Sequence, residues 1–306
     1  MNIPFDKLTR ALKMGASASR ASDAPVRVSV YLDSSVSRFL VDTVREALVP
    51  QTTSGIVRVE RLSEGRVEPK TDTDVALVLS CGSDRLESAV QEIVIAGAPV
   101  CVVAESAVEA PFIGESTPML GVVAATDKTY LLETLARWIL DRTEKTTAFA
   151  ANFPFMRIAA ANRIISSCAL TNMATGVLAF MPGADYPVMA LAQTGMLFEL
   201  AEIFGKGLKP ERGYEVAALL AAGLALRAAT RAVVKQTPHI GFLVKALMAG
   251  AGTYGMGKAL VELYSRDVDY SGLNRAVSIA AGRARQVASE LSGAGRAQDV
   301  TVSQAA

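Results

Sequence analysis

The chain has 306 residues, of which 51% are hydrophobic, with a mean hydropathy of +0.30 and a formal net charge of +1. This charge balance gives no argument for a nucleic-acid partner. A single histidine, His239, argues against a histidine-based metal site and a Ser-His-Asp triad, and we expect no metal, no cofactor and no enzymatic activity. The cysteines, Cys81, Cys101 and Cys168, are odd in number and far apart, which is typical of free thiols in a reducing compartment.

The N-terminal segment, residues 1–25, predicts an amphipathic helix followed by a linker. Its first residues lack the continuous apolar stretch of a secretory signal and instead place Phe5, Leu8 and Leu12 opposite basic side chains. Such a helix either touches a membrane surface or docks on the body of the protein itself. The following GASASRASDAP, residues 15–25, predicts a linker of small residues.

Residues 26–143 predict an α/β domain. Strands are expected at 26–32, 55–62, 74–81, 98–104 and 119–125, and helices at 36–48, 84–96 and 130–140. Strands that alternate with helices at this spacing favour a mainly parallel sheet covered by helices on both faces. Trp138 lies on the apolar side of the last helix and is expected in the core.

The turn after the first strand lacks the features of a phosphate-binding loop. Residues 33–38, Asp-Ser-Ser-Val-Ser-Arg, contain neither the glycines nor the lysine that such a loop requires. Two alternatives remain for this turn. Ser34, Ser35 and Arg38 bind an anion at the start of the next helix, or Ser34 or Ser35 simply caps that helix.

Residues 26–142 resemble the G domain of Era-like GTPases in the order of their elements. Residues 74–79 are similar to the central strand of that family, and residues 97–103 to the strand that leads to its guanine-reading motif. Where the family has Asn-Lys-x-Asp, this chain has Ala-Glu-Ser-Ala at 104–107. The resemblance therefore implies a degenerate G domain that does not bind GTP in the usual way.

Residues 150–266 predict an all-α, apolar helical domain. Four long helices are expected at about 155–181, 186–204, 213–235 and 240–265, separated by glycine and proline residues. Beyond residue 267 the chain becomes polar, and we expect a last helix at 273–291 and a disordered tail.

Two segments of this half, 182–205 and 251–264, resemble the helical domain of unknown function found after the G domain in some bacterial GTPases and in YcjF-like membrane proteins. The resemblance implies membrane association and partnership with a GTPase-type protein, without a known reaction. The matching residues are Pro182, Asp185, Pro187, Gln193, Glu202, Phe204, Gly205, Thr253, Tyr254 and Gly257.

The uncharged run 164–184 is long enough to cross a bilayer, which takes about 20 apolar residues. The runs 186–198 and 216–226 are shorter, and 240–257 contains Lys245. Basic residues precede the first helix and follow the second, so a hairpin would place both groups on the cytoplasmic face. We therefore expect a re-entrant or partly inserted hairpin, with the second pair of helices packed against it or lying at the interface.

Two further sets of side chains are candidates for interaction. Arg227, Arg231 and Lys235 recur at i, i+4 and i+8, which produces either a stripe for anionic lipid head groups or a solvated face. Glu199 and Glu202 either face a cavity or pair with a basic residue, or they mark where the helix leaves the apolar region.

These patterns predict a non-enzymatic, membrane-associated accessory or scaffold protein that faces the cytoplasm and works with a GTPase-type system. Membrane lipid is the expected partner, and self-association is compatible with the apolar helices. Two alternatives stay open: a cytoplasmic scaffold whose helical half forms an oligomer, and a divergent nucleotide-binding protein with a site near Ser34, Ser35 and Arg38.

Overall fold

The apolar runs of the first half form the strands of a five-stranded parallel sheet. In this computed structural model the described residues are 5–62, 67, 69–115, 117–178, 185–207, 211–236 and 241–266. The strands are β1 (Val26–Leu32), β2 (Gly55–Arg61), β3 (Val75–Leu79), β4 (Val100–Ala104) and β5 (Leu120–Ala124). They lie in the order β2-β1-β3-β4-β5, and every neighbouring pair is parallel.

Helices cover both faces of this sheet, because successive side chains of the buried strands point in opposite directions. On β3, Leu77 belongs to the core under α2 (Arg38–Ala47) and α4 (Lys128–Leu140), whereas Val78 belongs to the core under α3 (Leu86–Ile95). Trp138 lies in the first core and is buried, as predicted. The predicted α/β fold class is confirmed.

The predicted linker at 15–25 is wrong, because α1 is one helix from Phe5 to Ser22. It packs against the helices α5 and α7 of the second half, so it docks on the body of the protein. Small residues permit this contact: Gly15 and Ala18 are buried, and a Cβ on Gly195 of α7 would come within 2.9 Å of the Met14 side chain. A stretch that resembles a linker in composition is therefore helical because of its tertiary contacts.

The second half is helical, as predicted, and begins with an element that the sequence did not indicate. The short helix α5 (Thr146–Asn152) and a 3₁₀ turn (Pro154–Met156) precede the long helices. These are α6 (Arg157–Leu178), α7 (Asp185–Ile203), α8 (Glu211–Gln236) and α9 (Gly241–Ser265). The helix predicted at 273–291 and the tail lie outside the described residues.

Close packing at small residues holds α6 antiparallel to α9. Gly176 lies against Ala246, where an added Cβ would be 3.2 Å from the Ala246 Cα. Towards the other end of the pair, an added Cβ on Gly257 would lie 2.6 Å from a side-chain carbon of Ile165. Because α6 rises by about 1.5 Å per residue, its last turn lies about 30 Å from its first.

Asn152 joins the sheet to the helical half. Its side-chain oxygen accepts hydrogen bonds from the Thr52 hydroxyl (2.7 Å) and backbone N–H (3.3 Å), and its amide nitrogen donates to Ser54 Oγ (3.2 Å) and the Ala148 carbonyl (3.0 Å). The described residues up to Ser265 belong to one compact unit, whose larger core extends from the strands to α7 and α9. The domain boundary at residue 143 stays a prediction.

Candidate functional site

The carboxyl edge of the sheet between β1 and β3 is where the strand order reverses, and sheets of this kind bind ligands in that crevice. Here the crevice contains Asp33, which is 5% exposed. Ser80 Oγ and Ser83 Oγ donate hydrogen bonds to its carboxylate at 2.7 and 2.9 Å, and Ser35 donates a third. Burial acts to raise the pKa of Asp33, but the three hydroxyl donors and the Ser34 backbone N–H together outweigh it, and the pKa lies below its ordinary value.

This arrangement gives Ser35, a residue of the alternative anion site, other partners. The Ser35 hydroxyl donates to Asp33 and accepts from the Cys81 backbone N–H (3.0 Å), and the Arg38 guanidinium lies 3.7 Å from Asp42. The expected cap on Ser34 or Ser35 is wrong, because Ser37 caps α2 by accepting from the Leu40 N–H. An incoming phosphate would also be repelled by the Asp33 carboxylate. This edge of the sheet therefore holds a buried carboxylate whose hydrogen bonds are made within the protein.

Gln193, predicted from the family resemblance, belongs to a buried polar contact among three helices. Thr253 Oγ1 on α9 accepts hydrogen bonds from Gln193 Nε2 on α7 (3.0 Å) and Asn172 Nδ2 on α6 (2.8 Å). The side-chain oxygen of Asn172 is buried without a partner among the described residues. Sequence reasoning missed Asn172, although an asparagine inside an uncharged helix was an available signal.

The two predicted acids of α7 have different surroundings. Glu202 Oε2 accepts a hydrogen bond from Ser22 Oγ at 3.2 Å, which helps to fix α1 on α7. Glu199 lines a cavity of about 660 Å³ between α1, α5, α6 and α7, and burial raises the pKa of its carboxyl group. Glu199 therefore faces a cavity, which is one of the surroundings expected for these acids. Glu202 contacts a serine of α1.

The predicted turn residues lie at the two ends of α7. Pro182 is outside the described residues, Asp185 is the first residue of α7, and Pro187 is exposed in its first turn, where the missing N–H costs little. Gly205 ends the helix with φ +68, a left-handed conformation that favours glycine. The Lys206 N–H then donates to the Ala201 carbonyl at 2.8 Å, which closes the last turn.

The predicted basic stripe lies on α8. Arg231 and Lys235 are exposed, whereas Arg227 is half-buried and has an interaction partner. Lys245 on the neighbouring α9 is also exposed. The last two members of the stripe, Arg231 and Lys235, are therefore exposed on the protein surface, as is Lys245.

Large apolar side chains are exposed on all four long helices, in the half farthest from the sheet. Among the described residues, no large apolar side chain is exposed on α7 after Leu191, on α8 before Leu224 or on α9 after Tyr254. On the described part of α6, Ile158 is the one exposed large apolar side chain near the start of the helix. We call the exposed set the distal apolar surface. Its members are Leu170, Val177, Val188, Leu191, Leu224, Val233, Phe242, Leu243, Leu247 and Tyr254.

Within the described residues, one helical segment is long and apolar enough to cross a membrane, and it is Gly213–Lys235 on α8. Only 6% of its most apolar part is buried inside the protein. This corrects the expectation that α8 provides the shorter apolar run. The run expected to span, 164–184, lies on α6 as far as Leu178, where Ile164, Ile165 and Cys168 are buried, and its remainder is outside the described residues.

Comparison of the chain with protein-family models, with curated proteins and with solved structures gives no match. The resemblances to Era-like G domains and to YcjF-like helical domains therefore stay predictions.

Proposed function

We propose that the protein is a non-enzymatic accessory or scaffold protein whose distal apolar surface docks on an anionic membrane. The observation that carries this proposal is the position of the exposed apolar side chains. Leu170, Phe242 and Leu247 are 63%, 60% and 53% exposed, and all belong to the half of the helices that lies away from the sheet. Monomeric soluble proteins rarely expose a contiguous apolar patch larger than a few hundred Å².

The charges around this surface favour an anionic lipid surface as its occupant. Residues 164–178 of α6 and 186–198 of α7 contain no charged side chain, so their exposed ends can enter the acyl region at little cost. Arg231, Lys235 and Lys245 are exposed on the adjoining helices, and each basic residue near an anionic leaflet contributes about 1 kcal/mol. If this end of the helices is partly inserted, the uncharged parts of α6 and α7 lie in the acyl region and the basic side chains lie at the lipid head groups.

The proposed orientation places the α/β domain in the cytoplasm. Arg157 and Arg163 at the start of α6, and Lys206 after α7, lie near the sheet end of the helices. Basic residues beside inserted segments favour the cytoplasmic side. Partnership with a GTPase-type protein rests on the family resemblance alone and is kept as a prediction.

Vesicle flotation tests the apolar part of the proposal. We expect the full chain to float with vesicles of phosphatidylcholine containing about 30% phosphatidylserine, and the double variant Leu243→Asp, Leu247→Asp to stay at the bottom of the gradient. The control is Ile95→Asp, Val108→Asp, which replaces two apolar side chains of the α/β domain that are even more exposed than Leu243 and Leu247. Equal flotation of the two double variants would contradict docking through the distal apolar surface.

The charged part of the proposal has its own comparison. The variant Arg231→Glu, Lys235→Glu is expected to float less with anionic vesicles, because these side chains would be repelled by the head groups. Its floating fraction should also increase less than that of the unsubstituted chain when the salt concentration is lowered. The control Arg38→Glu, Arg137→Glu makes the same charge change on the exposed surface of α2 and α4. Sedimentation velocity without lipid completes the test. A defined oligomer that buries this surface would mean that a second copy of the chain, and not lipid, covers it.

A further inference from the structure

The cavity beside Glu199 is separate from the distal apolar surface, and none of its lining residues belongs to that surface. Its volume of about 660 Å³ lies within the range of sites for small organic molecules. Four helices contribute to its wall, including α1, whose docking on α7 closes one side. The apolar part of the wall includes Met14, Ile164 and Met196.

Glu199 is an unusual side chain for such a wall. It is half-buried, and it makes no hydrogen bond and no ion pair with any described residue. Burial raises the pKa of its carboxyl group, and no nearby cation or donor opposes this effect. A half-buried carboxylate without a protein partner is partly desolvated, and a ligand that carries a cation would offset that desolvation.

The other polar groups of the cavity restrict the ligand further. Nη1 of the Arg163 guanidinium at the wall donates to the Leu140 carbonyl (2.5 Å) and the Asp141 carboxylate (3.1 Å). Glu144, the second acid of the lining, is exposed, so the lining holds two acids, Glu144 and Glu199, and one basic side chain, Arg163. Among ligands of this size, the two acids favour one that carries a positive charge.

We propose that this cavity binds a small organic cation that carries an apolar group. Its ammonium lies against the Glu199 carboxylate, and its apolar part packs against Met14 and Met196. The hydroxyl groups of Ser17 and Ser167 in the lining supply acceptors for the remaining N–H groups. This site is independent of membrane docking, because it shares no residue with the distal apolar surface.

Calorimetric titration of the full chain tests the site with phenethylamine, tryptamine and octylamine, and with the uncharged 2-phenylethanol as the matched neutral probe. We expect at least one amine to bind saturably and the alcohol to bind at least about tenfold more weakly, because it cannot form the charge-assisted contact. Glu199→Gln should weaken amine binding by about tenfold or more, whereas Glu144→Gln should change it by less than about twofold. Absence of saturable amine binding, or equal binding by Glu199→Gln and the unsubstituted chain, would overturn the proposal.

A second measurement does not depend on a variant. Cys168 lines the cavity, while Cys81 is half-exposed and is not part of the lining. A bound amine is expected to slow alkylation of Cys168 by N-ethylmaleimide and to leave the rate at Cys81 unchanged. Equal rates at Cys168 with and without saturating amine would place the ligand elsewhere and overturn the assignment of this cavity.

Discussion

Gly176 of α6 lies directly against Ala246 of α9, and a Cβ at this glycine would be 3.2 Å from both the Ala246 Cα and the Lys245 carbonyl oxygen. Both neighbouring atoms belong to backbone, so the helices themselves must move apart if the side chain grows. The contact lies within the half of the helices that carries the distal apolar surface. The geometry of that surface therefore depends on the absence of a side chain at residue 176.

Gly176→Val is expected to lower the free energy of unfolding by about 1–3 kcal/mol, because it overpacks the contact between α6 and α9. Gly255→Ala is the control for a side chain added where there is room, since no atom lies within 4 Å of the position that its Cβ would take. That variant should be neutral or more stable by up to about 1 kcal/mol, because alanine is the better helix former. Urea unfolding followed by circular dichroism measures both, and equal stability of the two variants would contradict the described contact.

Replacing Thr253 by valine should destabilise the helical half by about 1–3 kcal/mol. Valine has nearly the shape of threonine but no acceptor, so the amide nitrogens of Asn172 and Gln193 both lose a buried hydrogen bond. Thr175→Val makes the same chemical change at an exposed hydroxyl that bonds only to the Thr171 carbonyl. Thermal unfolding should separate the two variants clearly, and a Thr253→Val protein as stable as Thr175→Val would show that the three helices do not depend on this contact.

Asn152→Ala should weaken the connection between the sheet and the helices by about 2–4 kcal/mol. The substitution removes the acceptor for Thr52 and the donor for Ser54 and Ala148 in a fully buried position. Gln51→Ala, on the adjacent exposed loop, is expected to change stability by less than about 0.5 kcal/mol. Denaturant titration provides the comparison, and a difference of less than about 0.5 kcal/mol between the variants would argue that Asn152 is dispensable.

The stability of the sheet edge should depend on pH through Asp33. Its pKa in the folded protein lies below the ordinary value of 3.8, so its stabilising contribution is complete above that value and is lost as the pH falls through the folded pKa. Asp33→Asn removes this contribution, and the stability difference between the unsubstituted chain and the variant should therefore shrink as the pH falls below about 4. Ser80→Ala removes one donor and should raise the pKa of Asp33. A stability difference that stays constant across this range would contradict the described hydrogen bonds.

The sheet could be predicted from the sequence because its strands carry local signals. All five residues of β3 are apolar and buried, and such a run is typical of a strand covered on both faces. The four long helices were predictable for a similar reason, since glycine or proline separates the uncharged runs. Both signals depend on neighbours in the chain rather than on partners in space.

The errors have the opposite origin. Residues 15–22 have the composition of a linker, and they form a helix because small side chains allow close contact with α7. Ser37 rather than Ser35 caps α2, because Ser35 is held by Asp33 and by a backbone group after β3. The contact of Asn172 with Thr253 joins residues 81 positions apart, and nothing in the local sequence pairs them.

The uncharged stretches of α6 and α7 show why sequence alone does not separate a core from a lipid-facing surface. Ile164 and Ile165 are buried near the start of α6, whereas Leu170 and Val177 on the same helix are exposed. Both pairs are strongly hydrophobic, and only the packing of α9 and α7 distinguishes them. The predicted hairpin thus divides into a buried part near the sheet and an exposed part at its far end.

The central claim is tested most directly by an environment-sensitive fluorophore attached to single cysteines. In a background that carries Cys81→Ser and Cys168→Ala and keeps only the fully buried Cys101, one protein carries Leu247→Cys on the distal apolar surface and the other carries Ile95→Cys on the α/β domain, both exposed in the unsubstituted chain. On addition of vesicles containing about 30% phosphatidylserine, we expect a blue shift with increased intensity at residue 247 and no change at residue 95. An unchanged signal at residue 247, or the same change at both positions, would contradict docking of the distal apolar surface on the membrane.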